Sequence, residues 1–287
     1  MMAPDLRMGE QVNKQAGEQA GTVAQAGRQV GKRVGEQVGT VAQAPQRHRG
    51  GLFMMVADPS WWVVEEADKL HAAKKIDAVF ELLAGADATD HELAWRIARA
   101  HHDKAEESTG DDAGREQLLR EGLVIAEAAK ERSSGASTAC HGYALKWYAI
   151  LLGQLGDFLP TKEKVANSYK IKEALEASAA LLPEDSSVQT ALGQWCYKVA
   201  GISFIERNAA KLLFGRPPAS SYAKALSYLE ASYALKSNKK AALFAALCHA
   251  KLKDKAAARE WLQRCLELDS VGEADRELDQ QAQAALK

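Results

Sequence analysis

The chain has 287 residues, 47% hydrophobic and 26% charged, with a formal net charge of −1. This composition is ordinary for a soluble globular protein, and near-neutrality excludes a global pull toward nucleic acid or an anionic membrane. The length allows one large core, or a short solenoid with a tail.

Residues 1–50 form a low-complexity arm. GEQAGTVAQA at residues 17–26 recurs as GEQVGTVAQA at residues 35–44, eighteen positions on. Eighteen residues make five helical turns, so a helix would present one face at every repeat, with Val30, Val34, Val38 and Val41 along it. Each glycine costs about 1 kcal/mol against alanine in a helix, so alone in water the arm is expected to be disordered or frayed. Seven Lys/Arg against four Asp/Glu give it +3. Three roles fit: an arm that orders along a partner's surface, a mitochondrial targeting segment, or a passive tail. Four acidic residues and few serines count against targeting.

Residues 51–64, GLFMMVADPSWWVV, form an apolar connector that Asp58-Pro59 interrupts. Trp61 and Trp62 are expected to dock on the first repeat as a cap. No apolar run approaches the roughly 20 residues of a membrane span.

Residues 65–287 read as a helical domain. Leu70, Ala73, Asp77, Phe80 and Leu83 suggest one edge helix. Thr89-x-x-Glu92 and Ser186-x-x-Gln189 read as capping boxes. Residues 106–115 are polar and contain glycine, hence a loop. Leu118, Leu119, Gly122, Ile125 and Ala129 pattern the next helix. No stretch alternates at period two for long enough to argue a sheet. An all-α fold of eight to ten helices is expected.

Residues 241–269 carry a repeat signature. Ala246 and Ala258 stand twelve apart, where two antiparallel helices of a tetratricopeptide repeat would cross closely. One unit upstream the equivalent pair is Gly193 and Ala225, 32 apart. The excess holds Phe204-Ile205, Ala209 and Leu212-Leu213, an inserted helix of about residues 204–214 that Gly215 and Pro217-Pro218 end. A third unit turns at Gly156-Asp157, and its small residue Ser178 comes about ten positions later than a plain repeat needs. The fold expected is therefore an all-α, tetratricopeptide-like helical solenoid with inserted helices, preceded by the low-complexity N-terminal arm.

Five segments carry a resemblance: KWYA (Lys146–Ala149), LGDF (Leu155–Phe158), KVANSYKIKE (Lys164–Glu173), LGQWCY (Leu192–Tyr197) and AKLLFGRPPASSYAKAL (Ala210–Leu226). Together they resemble the regulator of microtubule dynamics family over roughly residues 65–287. The resemblance implies a tetratricopeptide-type helical protein associated with microtubules and spindle poles, and in some members with mitochondria. One member tethers the mitochondrial outer membrane to the endoplasmic reticulum and binds phospholipid in its repeat domain.

Enzyme motifs are absent: no G-x-x-x-x-G-K-[ST], G-x-G-x-x-G, H-E-x-x-H or G-x-S-x-G. Neither a cofactor nor a catalytic residue is expected. Cys140-His141, Cys248-His249 and His101-His102 are adjacent pairs, about 100° apart on a helix, and so poor chelators of one metal ion. The four cysteines are scattered and are expected to be reduced, small core residues. Basic residues gather in the insertions: Lys162, Lys164, Lys170 and Lys172 in the first, Arg207, Lys211 and Arg216 in the second. Arg207 and Lys211 are i,i+4 neighbours. With Lys146 and Asn167 of the family-like segments, Lys162, Lys164, Lys170, Arg207, Lys211 and Arg216 are the candidate contacts for a phosphate headgroup or an acidic tubulin surface. The bland alternative is a set of solvated charges beside Glu163, Glu173 and Glu206.

The function expected is that of a non-catalytic, microtubule-associated scaffold, cytoplasmic or axonemal, contacting tubulin or a larger assembly through residues 1–50 and the repeat surface. A phospholipid-binding or organelle-contact protein is the alternative, and an accessory subunit of a mitochondrial assembly a third. Nucleic acid is not an expected partner.

Overall fold

A computed structural model describes residues 60–108, 110–203, 207, 208, 210, 211 and 219–287. The N-terminal arm, most of the apolar connector, and Arg216 with much of the inserted helix lie outside the described residues. Among those described there are eleven α-helices and no strand. They are α1 (Trp61–Ala72), α2 (Ile76–Leu83), α3 (His91–Glu107), α4 (Asp112–Arg132), α5 (Thr138–Leu155), α6 (Thr161–Leu181), α7 (Ser186–Ala200), α8 (Tyr222–Leu235), α9 (Lys239–Lys251), α10 (Lys255–Glu267) and α11 (Glu273–Leu286).

The helices pair as hairpins α3/α4, α5/α6, α7/α8 and α9/α10, and the first helix of each later hairpin packs on the second helix of the one before. This is solenoid stacking: no hairpin can bury its apolar faces alone, so neighbours share one core. That core runs from Trp95 and Leu119 through Leu151, Leu175, Val188 and Leu229 to Leu243, Leu262 and Ala282. A second cluster of Ala67, Val79, Leu83, Leu93, Ile97 and Ala100 sits under α1 and α2.

Small residues set the crossings. Ala225 is fully buried, Ala246 is 1% exposed, and both lie on paired helices as the spacing predicts. A Cβ on Gly193 would come within 2.5 Å of Leu229 Cγ and 3.2 Å of the Ala225 carbonyl oxygen. Glycine is needed there for close approach. Thr190 Oγ1 and Ser232 Oγ, 2.7 Å apart, add a hydrogen bond across the same crossing, and Ser232 Oγ also donates to the Ser186 carbonyl at 2.8 Å.

Several local expectations are corrected. Asp90 and Asp185, not Thr89 and Ser186, cap α3 and α7: each carboxylate accepts two backbone N–H groups of the first turn. A carboxylate answers the positive end of the helix dipole as well as its free N–H groups, which a hydroxyl does only in part. The edge helix is two helices, α1 and α2, broken where Lys74 takes φ 55°. The Lys75 N–H reaches back to the Leu70 carbonyl, a helix-ending bond that glycine usually serves. Helix α3 runs on through Glu107, and α4 begins at Asp112, so both ends of the expected loop are helical. The extra residues of the third unit lengthen α6 to 21 residues, against 13 in α9 and α10, rather than adding a separate helix. Trp61 and Trp62 are 55% and 50% exposed. The stripe that α1 buries is Val63, Val64, Ala67 and Leu70, which leaves both indoles outside.

Candidate functional site

The first helices of the hairpins, together with α6 and α11, enclose a groove with a volume of about 1910 Å³. Its apolar surface includes Trp147 and Ile150 of α5, Ile171 of α6, Trp195 and Val199 of α7, and Phe244 of α9. Polar side chains surround them: His102, Asp103 and Glu106 of α3, Gln154 of α5, Asn167 and Ser168 of α6, Lys240 of α9. Ten Lys/Arg and ten Asp/Glu line the groove. It therefore has no net sign and is not a general anion trap.

One polar knot joins the first, second and fourth hairpins of the solenoid. Glu106 Oε1 accepts from Gln154 Nε2, and its Oε2 accepts from Lys240 Nζ, each at 2.5 Å. Burial alone would raise the Glu106 pKa, but the charges of Lys240 and His102 and these two hydrogen bonds bring it down to about 2. One turn back, Asp103 Oδ1 contacts His102 Nδ1 at 2.8 Å, and Oδ2 lies 3.3 Å from His71 Nε2. Burial pushes the Asp103 pKa up, yet the two histidines outweigh it and hold the carboxyl well below the usual range. The His102 ring lies 5.1 Å from the Trp147 ring, centroid to centroid.

The C-terminal helix completes the enclosure. Glu107 Oε2 accepts the Glu273 N–H at 2.8 Å, at the start of α11, and Lys74 Nζ lies 3.5 Å from Asp275 Oδ2. Gly272 makes the approach possible, with φ 89° and Glu107 Oε1 only 2.5 Å from where a Cβ would stand. Beside Lys240 on α9, the buried Lys239 donates to Asp279 Oδ1 at 2.6 Å and to the Cys265 carbonyl at 2.9 Å.

The candidate contact residues fall into separate places. Lys164 and Asn167 line the groove from α6. Lys162 and Lys170 are exposed on α6 but are not part of the groove lining. Lys146 is 5% exposed and donates to Asp185 Oδ2 at 2.8 Å and Ser187 Oγ at 3.1 Å. It thus ties α5 to the cap of α7 from beneath the groove surface. Burial lowers its pKa against the pull of Asp185. Arg207 is half-buried and Lys211 exposed. Sequence reasoning missed Asp103, Glu106, Gln154 and Lys240. Two of these stood inside or beside a segment read as loop, and side chains 134 positions apart leave no local signal.

A buried basic group lies near the groove on α3. Arg96 bridges Asp68 at 2.6 Å and Glu92 at 2.7 Å and stacks 4.0 Å over the Trp95 ring, while Arg99 reaches Asp68 at 3.0 Å. These contacts bind α1 to α3. All four cysteines are buried and free, with burial pushing the Cys248 thiol up to about 12. Among the described residues no helix is long and apolar enough to cross a membrane.

Stacked antiparallel hairpins with small residues at their crossings and an enclosed concave groove define a tetratricopeptide-type helical repeat protein. A thermophilic TPR protein of Thermus thermophilus has the same fold: TM-score 0.52 at 14% sequence identity, over 78% of this chain and 97% of that one. The sequence profile of the family described as Regulator of microtubule dynamics protein 1-3 matches residues 63–287, and the chain belongs to that family. It is 34% identical over 228 residues to regulator of microtubule dynamics protein 1 of Bos taurus, covering 78% of this chain and 70% of that protein. Against the mouse protein 1 the identity is 33%, over 77% of this chain and 72% of the relative. Protein 3 of Xenopus laevis is 31% identical over 75% of this chain, which spans only 47% of that longer relative.

Proposed function

We propose that this protein is a non-catalytic scaffold that associates with microtubules and holds a partner in its groove. The observation that carries this reading is the 34% identity to a regulator of microtubule dynamics over 78% of the chain. The fold supports it. A groove with balanced charge, an apolar floor and side chains fixed by hydrogen bonds suits recognition. The basic residues Lys162, Lys170, Arg207, Lys211 and Arg216 are the proposed contacts with an acidic tubulin surface, and the repetitive arm of residues 1–50 is proposed to order along a repeating lattice. The cytoskeleton is then the expected location. Co-sedimentation with polymerised tubulin, comparing the full chain with one lacking residues 1–50, tests the reading. Both forms are expected to pellet, the shorter one less. If neither pellets, direct microtubule binding is wrong.

A second reading is that the groove holds the acyl chains of a phospholipid at an organelle contact. The apolar floor of Trp147, Ile150, Ile171, Trp195, Val199 and Phe244 favours it. Native mass spectrometry of the purified protein tests it, with a co-purified lipid mass as the positive result and none, together with no liposome binding, as the negative.

A further inference from the structure

The chain has six tryptophans. Trp95, Trp147, Trp195 and Trp261 are 5–8% exposed, whereas the adjacent Trp61 and Trp62 stand 55% and 50% exposed in the first turn of α1. Apolar side chains scattered singly over a surface are normal, but two neighbouring indoles form a patch, and tryptophan is enriched where a contact buries it. Helix α1 spends its apolar stripe of Val63, Val64, Ala67 and Leu70 on the core. The indoles are left for something outside it.

Their surroundings say what kind of partner covers them. A helix that docks in a protein groove repeats its anchors at i+3, i+4 and i+7. Here the positions one turn on are Glu65, which is exposed, and Glu66, which pairs with Lys69 at 3.6 Å. The apolar outward surface therefore ends after one turn, about 5 Å. That turn carries no acidic side chain, although the positive end of a helix favours one. A carboxylate there would resist entry into an apolar phase.

The sequence ahead of α1 agrees. Leu52, Phe53, Met54, Met55 and Val56 are five apolar residues in succession. In a helix or a strand such a run leaves no polar face, which suits a medium apolar on every side rather than a groove with one open edge. It is far too short to span a bilayer. Arg47, His48 and Arg49 precede it, and anionic lipid headgroups attract basic residues placed beside an apolar segment. Indoles, apolar in body with one N–H, concentrate at the headgroup level of membranes.

We propose that Trp61 and Trp62 form a membrane-contact site: the N-terminal end of α1 seats both indoles in the headgroup region of an anionic lipid bilayer without crossing it. The contact is shallow and reversible, and it uses the edge of the solenoid, not its groove. It goes beyond both readings of the function and depends on neither.

Flotation of the full chain with lipid vesicles tests the proposal. Binding to phosphatidylcholine vesicles that contain phosphatidylserine is expected, with less binding to phosphatidylcholine alone, and tryptophan emission should move to shorter wavelength. The double variant Trp61→Ala, Trp62→Ala should bind roughly tenfold less or weaker still. Leu252→Ala, which removes a lone exposed apolar side chain between α9 and α10, should bind as the parent does. Brominated lipids give a measure on the unsubstituted protein: bromine on the acyl chain near the headgroup should quench tryptophan emission more than bromine at the chain end. The proposal is overturned if the parent does not float, or if brominated lipids leave its emission unchanged. It is overturned as well if the double variant floats like the parent, since lipid would then enter elsewhere, the groove included. A dimer that the double variant dissolves, with no vesicle binding by the parent, would assign the indoles to a second copy and overturn it too.

Discussion

Between α7 and α8 the chain takes residues 201–221; between α9 and α10 it takes residues 252–254. Both hairpins nonetheless bring their helices close over small residues, Gly193 with Ala225 in one and Ala246 with Ala258 in the other. The crossing defines the repeat, and connections of such different length both preserve it. The hairpins differ in what they hold besides. The α7/α8 pair is tied across its crossing by Thr190 and Ser232, and the α7 cap is held to α5 by Lys146. The α9/α10 pair is tied across its own crossing through Lys239 to the Cys265 carbonyl, and outward through Lys240 to α3 and Lys239 to α11.

The sharpest way to break the comparison is Gly193→Ala. Its Cβ meets Leu229 and a backbone oxygen, so overpacking should cost about 2–3 kcal/mol. For a domain of this size each kcal/mol lowers Tm by about 2–4 °C, which calorimetry reads directly. The converse change in the plain repeat, Ala246→Gly, adds no clash and should cost about 1 kcal/mol through helix propensity. A loss at Gly193 no larger than that at Ala246 would show that the α7/α8 crossing has room for a methyl group.

The outward ties come next. Gly272→Ala forces a side chain into φ 89° and against Glu107, and about 1–2 kcal/mol should be lost. Faster amide hydrogen exchange at the start of α11 is the accompanying sign. Acid should loosen the Lys240 tie. Glu106 has its folded pKa lowered to about 2 from 4.5, so its contribution is complete above pH 4.5 and disappears as the pH falls toward 2. Urea midpoints of the parent should drop across that interval more than those of Glu106→Gln, while Thr190→Val at the α7/α8 crossing should not change the pH profile. The smallest effect is at Lys211, exposed beside the long connection: Lys211→Ala should alter stability by less than about 0.5 kcal/mol. If it nevertheless weakens tubulin pelleting, the connection is a contact surface.

The fold was legible where chemistry repeats at short range. Helix periodicity, the Gly193–Ala225 and Ala246–Ala258 pairs and the family-like segments carried the solenoid. Helix ends were less legible. Lys74 and Lys253 take left-handed conformations that sequence rules assign to glycine, and neighbouring aspartates displaced the expected hydroxyl caps. The candidate site was legible only in part. Lys164 and Asn167 do line the groove. The Glu106 knot draws on α3, α5 and α9, and nothing local in the sequence marks side chains that meet only after three hairpins have stacked.

That knot, with the Glu107–Glu273 bond, alters how the domain must come apart. An open repeat array unravels from its ends, each unit sensing only its neighbours. Here the last helix and the third grip each other, so the chain behaves as a closed circuit rather than a row. Fraying at the C-terminus is felt at α3, and a truncation of α11 would take with it cooperativity that belongs to the whole domain.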